Sequence, residues 1–266
     1  MRKKRCVLRR RVMVRQHRTA LQELFDSCRK IFKGPGTVPP PHDVRRLSHI
    51  LDNMKPEDVG LSADRQFFNT RNGIKEVFPV TCTTIYKCDN FSLCMFFLPP
   101  GGVIPLHNHP GMTVFSKLLI GLMHVKSYDW AATGPADRTS RAAPSAPPHL
   151  RLATVKADRV LAAPCHSSVL YPTAGGNIHE FTALKPCAIL DVLGPPYSKE
   201  DGRDCSFYRE YTYTAFSADC EADPDPEKED CGECYGWLEE IDTPENSHMG
   251  AIEYLGPPIS DEPACH

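Results

Sequence analysis

The sequence lacks any long apolar run. Its apolar runs are short, such as Leu118 to Met123 broken by Gly121, well short of the ~20 residues a membrane helix needs, so no membrane span is expected. Acidic residues are missing from residues 1–18, which carry nine Lys/Arg. No apolar core segment follows, so a secretory leader is not expected, and the missing Ser counts against a transit segment. It can serve as a nuclear address, an electrostatic tether, a transit segment or a solvated, flexible terminus. The locations expected are nucleus and cytoplasm. A charge imbalance is also missing: the net charge is −2, which by itself implies no direct nucleic-acid partner. Cysteine is present in twelve copies, but scattered. With no secretion signal, free thiols in a reducing compartment are the reading.

What is present is a chain of 266 residues, 41% hydrophobic and 24% charged, enough for one sizeable core. Leu21, Leu24, Phe25, Cys28, Ile31 and Phe32 recur at helical spacing and predict an amphipathic helix over 17–33, closed by Gly34-Pro35-Gly36. A second helix is predicted over 43–54. From about 75 to 195 the pattern becomes short runs rich in Val, Ile, Thr, Phe and Tyr between turn residues. Strands are predicted at 75–80, 81–87, 91–97, 112–119, 123–128, 151–156, 168–171 and 188–192. Such spacing indicates a mainly β sandwich or barrel with N-terminal helices. The expected organisation is a basic extension (1–18) and one domain (19–260). That domain starts with helices (19–61) and carries an Ala/Ser/Pro-rich loop insertion near 131–149. Residues 219–230, with seven acids against one Lys, open a predicted loop (219–235), and Trp237–Glu240 and Ile252–Tyr254 read as packed again. A monomer is expected.

The chemical signal is histidine. In Pro105-Leu-His107-Asn-His109-Pro110, residues two apart on a strand face one way, so both imidazoles can enter one cavity. In Tyr171-Pro-Thr-Ala-Gly-Gly-Asn-Ile-His179, the glycine pair permits a sharp turn before a strand that starts near His179. Three such imidazoles make a candidate metal site. His49, His124, His149, His166 and His266 are given no metal role. Cys231-Gly-Glu-Cys234 lacks a second pair at zinc spacing and reads as a loop with free thiols.

Gly101-x5-His107-x-His109-x4-Val114-x6-Gly121 resembles the first cupin motif, and Pro172-x2-Gly175-x3-His179 approximates the second. The usual cupin glutamate falls at Val114, which cannot bind a metal. Pro105–Thr113, Ser127–Trp130, Leu170–Phe181 and Asp191–Tyr197 together resemble the plant cysteine oxidases and cysteamine dioxygenase, a branch of thiol dioxygenases. Met54–Leu61 and Trp237–Glu240 extend the likeness to about residues 20–260.

The resemblance implies a cupin fold and a three-histidine iron(II) site of His107, His109 and His179. It also implies O2-dependent conversion of an N-terminal cysteine to cysteine sulfinic acid. Partners implied are O2 and proteins with an N-terminal cysteine, among them group seven ethylene-response transcription factors. The role implied is oxygen sensing through the N-degron pathway. Asp191 becomes a candidate to hold the substrate amine or tune the site, against the plainer reading of a strand-end turn former. Tyr197, after Gly194-Pro195-Pro196, is either a hydroxyl aimed into the cavity or a packed loop aromatic. A small-thiol dioxygenase for cysteamine or cysteine, a non-enzymatic cupin binding module, and a zinc cupin or isomerase remain as alternatives.

Overall fold

The computed structural model describes residues 18–61, 80–131, 147–213 and 235–261. Two helices lead, α1 (Ala20–Ile31) and α2 (Pro41–Asn53), and twelve strands follow. They are β1 (Val80–Lys87), β2 (Ser92–Leu98), β3 (Val103–His107), β4 (Thr113–Ile120), β5 (Leu122–Trp130), β6 (Leu150–Ala162), β7 (Ser168–Leu170), β8 (Ile178–Ala183), β9 (Cys187–Gly194), β10 (Phe207–Thr212), β11 (Tyr235–Ile241) and β12 (Met249–Ala251). The mainly β expectation with N-terminal helices holds. α1 starts where the Thr19 hydroxyl accepts from the Gln22 N–H, and α2 starts on Pro41, whose missing N–H costs nothing at a first helical position.

The strands form two layers. One sheet runs β12-β1-β2-β9-β4-β7, and the other closes on itself as β10-β11-β6-β5-β8-β3. Closure rests on Phe207 of β10 pairing with His107 of β3, so the ring shuts at a site histidine. β10, β12 and the extension of β6 to Ala162 were not predicted, and the strand expected to carry both His107 and His109 ends at His107. β10 (Phe-Tyr-Arg-Glu-Tyr-Thr) is half exposed with charged residues, so it does not read as an apolar run. Ile252–Tyr254 is not a packed element. Ile252 and Glu253 are exposed, and only Tyr254 rests partly buried against the helix cluster. The N-terminal basic stretch, most of the 75–80 strand, nearly all of the insertion and the acidic loop lie outside the described residues.

The period of two along a strand divides the open sheet into two faces. Phe115 on β4 and Val192 and Leu190 on β9 face the helices, in one cluster with Leu21, Leu24, Phe25, Leu47 and Leu51. Their neighbours Val114, Ser116 and Leu118 pair with Leu193, Asp191 and Ile189 and turn to the closed sheet. The helices therefore pack on one face and leave the other for the site. At Gly194 the end of α1 packs on β9 with no room for a side chain: a Cβ there would lie 2.1 Å from the Phe32 ring.

Phe25 is fully buried, with its ring centroid 4.7 Å from that of Tyr86 and 6.0 Å from that of Phe91. Phe25→Ala should lower unfolding free energy by about 3–5 kcal/mol, read from urea midpoints at unchanged slope. A loss under about 1 kcal/mol would show that the helical layer contributes little to the core.

Candidate metal centre

His107 ends β3, His109 follows in the turn after it, and His179 is the second residue of β8. His107 and His179 are direct cross-strand partners, which explains how residues 72 apart meet. The strand stops at His107, so simple alternation does not place His109. Its neighbour Asn108 does, by a set of four bonds. The Asn108 N–H donates to Ser206 O at 3.1 Å, and its side chain accepts from Ser206 N at 2.8 Å and donates to the Tyr208 hydroxyl at 3.2 Å. Tyr197 completes the set by donating from its hydroxyl to Asn108 O at 2.7 Å. This corrects one expectation for Tyr197: its hydroxyl is committed to a strand-end carbonyl rather than free in the cavity. Its ring lies 5.6 Å from that of His109.

The three ring centroids form a near-equilateral triangle, at 4.8, 4.8 and 4.7 Å. One ring nitrogen of each lies within 4.8 Å of the others. Burial pushes the pKa of all three below the ordinary value, and for His109 and His179 the neighbouring imidazoles push further. They are therefore neutral near pH 7, the state in which imidazole binds metal. Each ring also touches a backbone carbonyl: His107 Nδ1 to Pro105 O at 2.8 Å, His109 Nδ1 to Asn177 O at 3.2 Å, and His179 to Gly176 O. A carbonyl only accepts, so the touching nitrogen carries the proton and the other keeps its lone pair. The arrangement is a set of three neutral donors that could hold a divalent metal. No carboxylate belongs to that group among the described residues. Val114, at the position of the usual cupin glutamate, is buried in a cavity wall.

His179 lies in the wall of that cavity, of about 440 Å³, between the two sheets. Ser116 and Val114 form the opposite wall, and Asp191 shares their face as the direct partner of Ser116. Asp191 sits within β9, not at a turn, so the turn-former reading falls. One of its carboxylate oxygens is buried without a partner, and burial raises its pKa to about 7 against the opposing Ser116 bond. His124, His149 and His166 face Asp158, Glu239 and Asp52 respectively, away from the triad, and Cys231 and Cys234 lie outside the described residues.

Two contributors carried no role in the sequence reading. The Asp129 carboxylate accepts from the N–H groups of Gly175 (2.9 Å), Gly176 (2.9 Å) and Asn177 (3.0 Å). The Asn177 side chain accepts from His109 N at 3.1 Å and donates to His109 O at 2.9 Å and Tyr171 O at 2.8 Å. The available signal was Gly175-Gly176: consecutive residues at φ 81 and 82 aim successive N–H groups at one anion. At Gly176 a Cβ would also lie 2.6 Å from Ser127 Oγ.

A family model described as PCO_ADO matches residues 50–259. Plant cysteine oxidase 1 of Arabidopsis thaliana is 45% identical over 250 residues, covering 91% of this chain and 81% of that protein. Plant cysteine oxidase 2 of the same plant is 45% identical over 260 residues, covering 95% and 89%. The 2-aminoethanethiol dioxygenase of Homo sapiens is 31% identical over 179 residues, covering 64% and 66%. Among solved structures, a Klebsiella pneumoniae protein with a double-stranded β-helix domain matches at TM-score 0.33 and 12% identity, over 56% of this chain and 96% of that one.

The buried triad sets a pH dependence in the metal-free protein. The imidazoles lie below their ordinary 6.5 when folded, so the unfolded chain binds more protons as pH falls through about 6.5, and stability is lost. Asp191 acts oppositely: at about 7 when folded against 3.8 ordinarily, it adds stability as pH falls between those values. His109→Gln removes one imidazole and leaves the carboxyl. The wild-type melting temperature should therefore drop more steeply than the variant's between about pH 7 and about pH 5.5. Parallel profiles would contradict a buried neutral triad.

Proposed function

The chain belongs to the PCO_ADO family and is a thiol dioxygenase, and from that premise we propose that it oxidises the N-terminal cysteine of proteins to cysteine sulfinic acid with iron(II) held by His107, His109 and His179. The observation that carries this reading is the all-imidazole donor set. Three neutral ligands leave the full 2+ charge of the metal uncompensated, which favours an anionic thiolate in the remaining positions. When bound, iron(II) supplies a redox-active Lewis acid that acidifies a thiol and lets O2 react at its sulfur. The conversion R–SH + O2 → R–SO2H balances with no added reductant.

The chain's own residues do the rest. Asp191, one of whose carboxylate oxygens is buried without a partner, accepts from the substrate's terminal ammonium. That pairing favours the charged carboxylate and offsets its burial. Tyr197 holds Asn108 and, through it, the angle between His107 and His109. The two layers keep water from most of the triad: the histidines are 9%, 2% and 5% exposed.

Both the cavity volume, in the range of sites that enclose more than a small thiol, and the higher identity to the plant cysteine oxidases support a peptide substrate over cysteamine. Sulfinic acid is largely irreversible, which suits a committed signal whose rate follows oxygen supply. Oxygen sensing through the N-degron pathway, with group seven ethylene-response transcription factors as targets in nucleus and cytoplasm, is the biological role that fits.

Iron-loaded full-length protein given a peptide beginning with cysteine should consume O2 and add two oxygen atoms to that residue by mass spectrometry, and an amino-acetylated control should stay unchanged. His179→Ala should abolish both iron binding and uptake. Asp191→Asn should keep iron and raise the peptide KM about tenfold or more. Oxidation of cysteamine but no peptide would move the substrate to small thiols, and inertness toward both would overturn the enzyme reading.

A further inference from the structure

Behind the triad lies a carboxylate that touches none of its rings. Asp129, near the end of β5, is 6% exposed, and no ion pair to it occurs among the described residues. Its charge is met by three peptide N–H groups, from Gly175, Gly176 and Asn177. A buried carboxylate held by N–H groups alone is an expensive way to anchor a loop, since a neutral acceptor would serve with less desolvation. Positive charge nearby would offset that cost, and the triad is where a divalent cation would sit.

The peptides that Asp129 grips are also those that hold the ligands. The Asn177 N–H and the Gly176 carbonyl belong to one planar peptide unit. Asp129 takes the N–H side at 3.0 Å, and the His179 ring takes the carbonyl side. The next carbonyl, Asn177 O, takes His109 Nδ1. A carboxylate that bonds a peptide N–H polarises the carbonyl of the same unit, because hydrogen bonds in a chain reinforce one another in a low-dielectric interior. Metal-bound histidines in many proteins hand their second N–H to a carboxylate, which fixes the ring and raises its donor strength. Here one peptide unit stands between carboxylate and imidazole.

We propose that Asp129 is a positioning residue of the metal centre, acting through the 176–177 peptide to orient His179 and strengthen it as a donor, and through Asn177 to orient His109. The proposal rests on the triad being the iron site. It separates two roles: a plain loop anchor needs acceptors only, whereas this relay needs the negative charge.

Asp129→Asn tests the difference. Asparagine is nearly isosteric, but its amide donates, so one of the three N–H groups faces a donor instead of an acceptor. Iron(II) affinity is measured anaerobically by competition with a chromogenic chelator, and the reduction potential of bound iron by redox titration, both on full-length protein. The variant should bind iron(II) roughly ten- to a hundredfold more weakly and show a raised potential, since a weaker donor stabilises iron(III) less. Asp129→Glu keeps the charge and should hold the wild-type potential even where its affinity falls. Unchanged affinity and potential in Asp129→Asn would overturn the relay. So would a reduction potential in Asp129→Glu displaced from the wild-type value, and that measurement decides alone if the asparagine variant does not fold. Wild-type protein that binds no iron would instead sink the metal assignment itself.

Discussion

Burying three imidazoles with a ring nitrogen of each within 4.8 Å of the others imposes two requirements that much of the surrounding structure meets. Each ring has to be neutral, because charged imidazoles so close and so dry would repel strongly. Each remaining N–H then needs an acceptor, or its burial is uncompensated. Three backbone carbonyls provide these, two of them on the tight turn through Gly175 and Gly176. That turn is in turn held by Asp129 and by the Asn177 amide. The histidine positions thus depend on a network of peptide groups more than on side-chain packing.

The two-layer architecture serves the same end. Residues of the open sheet alternate between the helical layer and the cavity, so one strand contributes Phe115 to the core and Ser116 to the site. The helices bury an apolar face that would otherwise be exposed and leave the inner face free to carry polar groups. Asp191 exists at the centre of a sheet because of this division. On the helical face it would be an unpaired charge in a hydrocarbon core, whereas on the inner face it lies beside Ser116, a residue of the cavity wall.

The histidines were legible because their chemistry is local. His-x-His next to a proline, and a histidine after Gly-Gly-Asn, are unusual in so short a span, and Val114 in place of a carboxylate distinguishes the donor set. The two helices were legible from their periodicity and differ from the structure by a few residues at each end, where caps decide the boundary. β10 was not, since a short strand with charged residues looks like a loop until a partner strand satisfies its backbone, and the strand carrying His107 was legible but not its end before His109. Tyr197 was legible as a stiffly placed aromatic, but not in its use. Its hydroxyl goes to Asn108 O, an acceptor 89 residues away in sequence.

The sequence by itself determined the ligand type, the absence of a fourth carboxylate donor, the mainly β class and the glycine pair, because each follows from residue identity or spacing along one segment. Only the tertiary structure decided that His107 pairs with His179 across two strands, that Asp191 shares the inner face of its sheet with Ser116, and that Asp129 sits behind Gly175–Asn177. These relations depend on strand register, and a slip of one residue would turn each side chain to the opposite face. Register is fixed by pairing between distant segments, which no local pattern encodes.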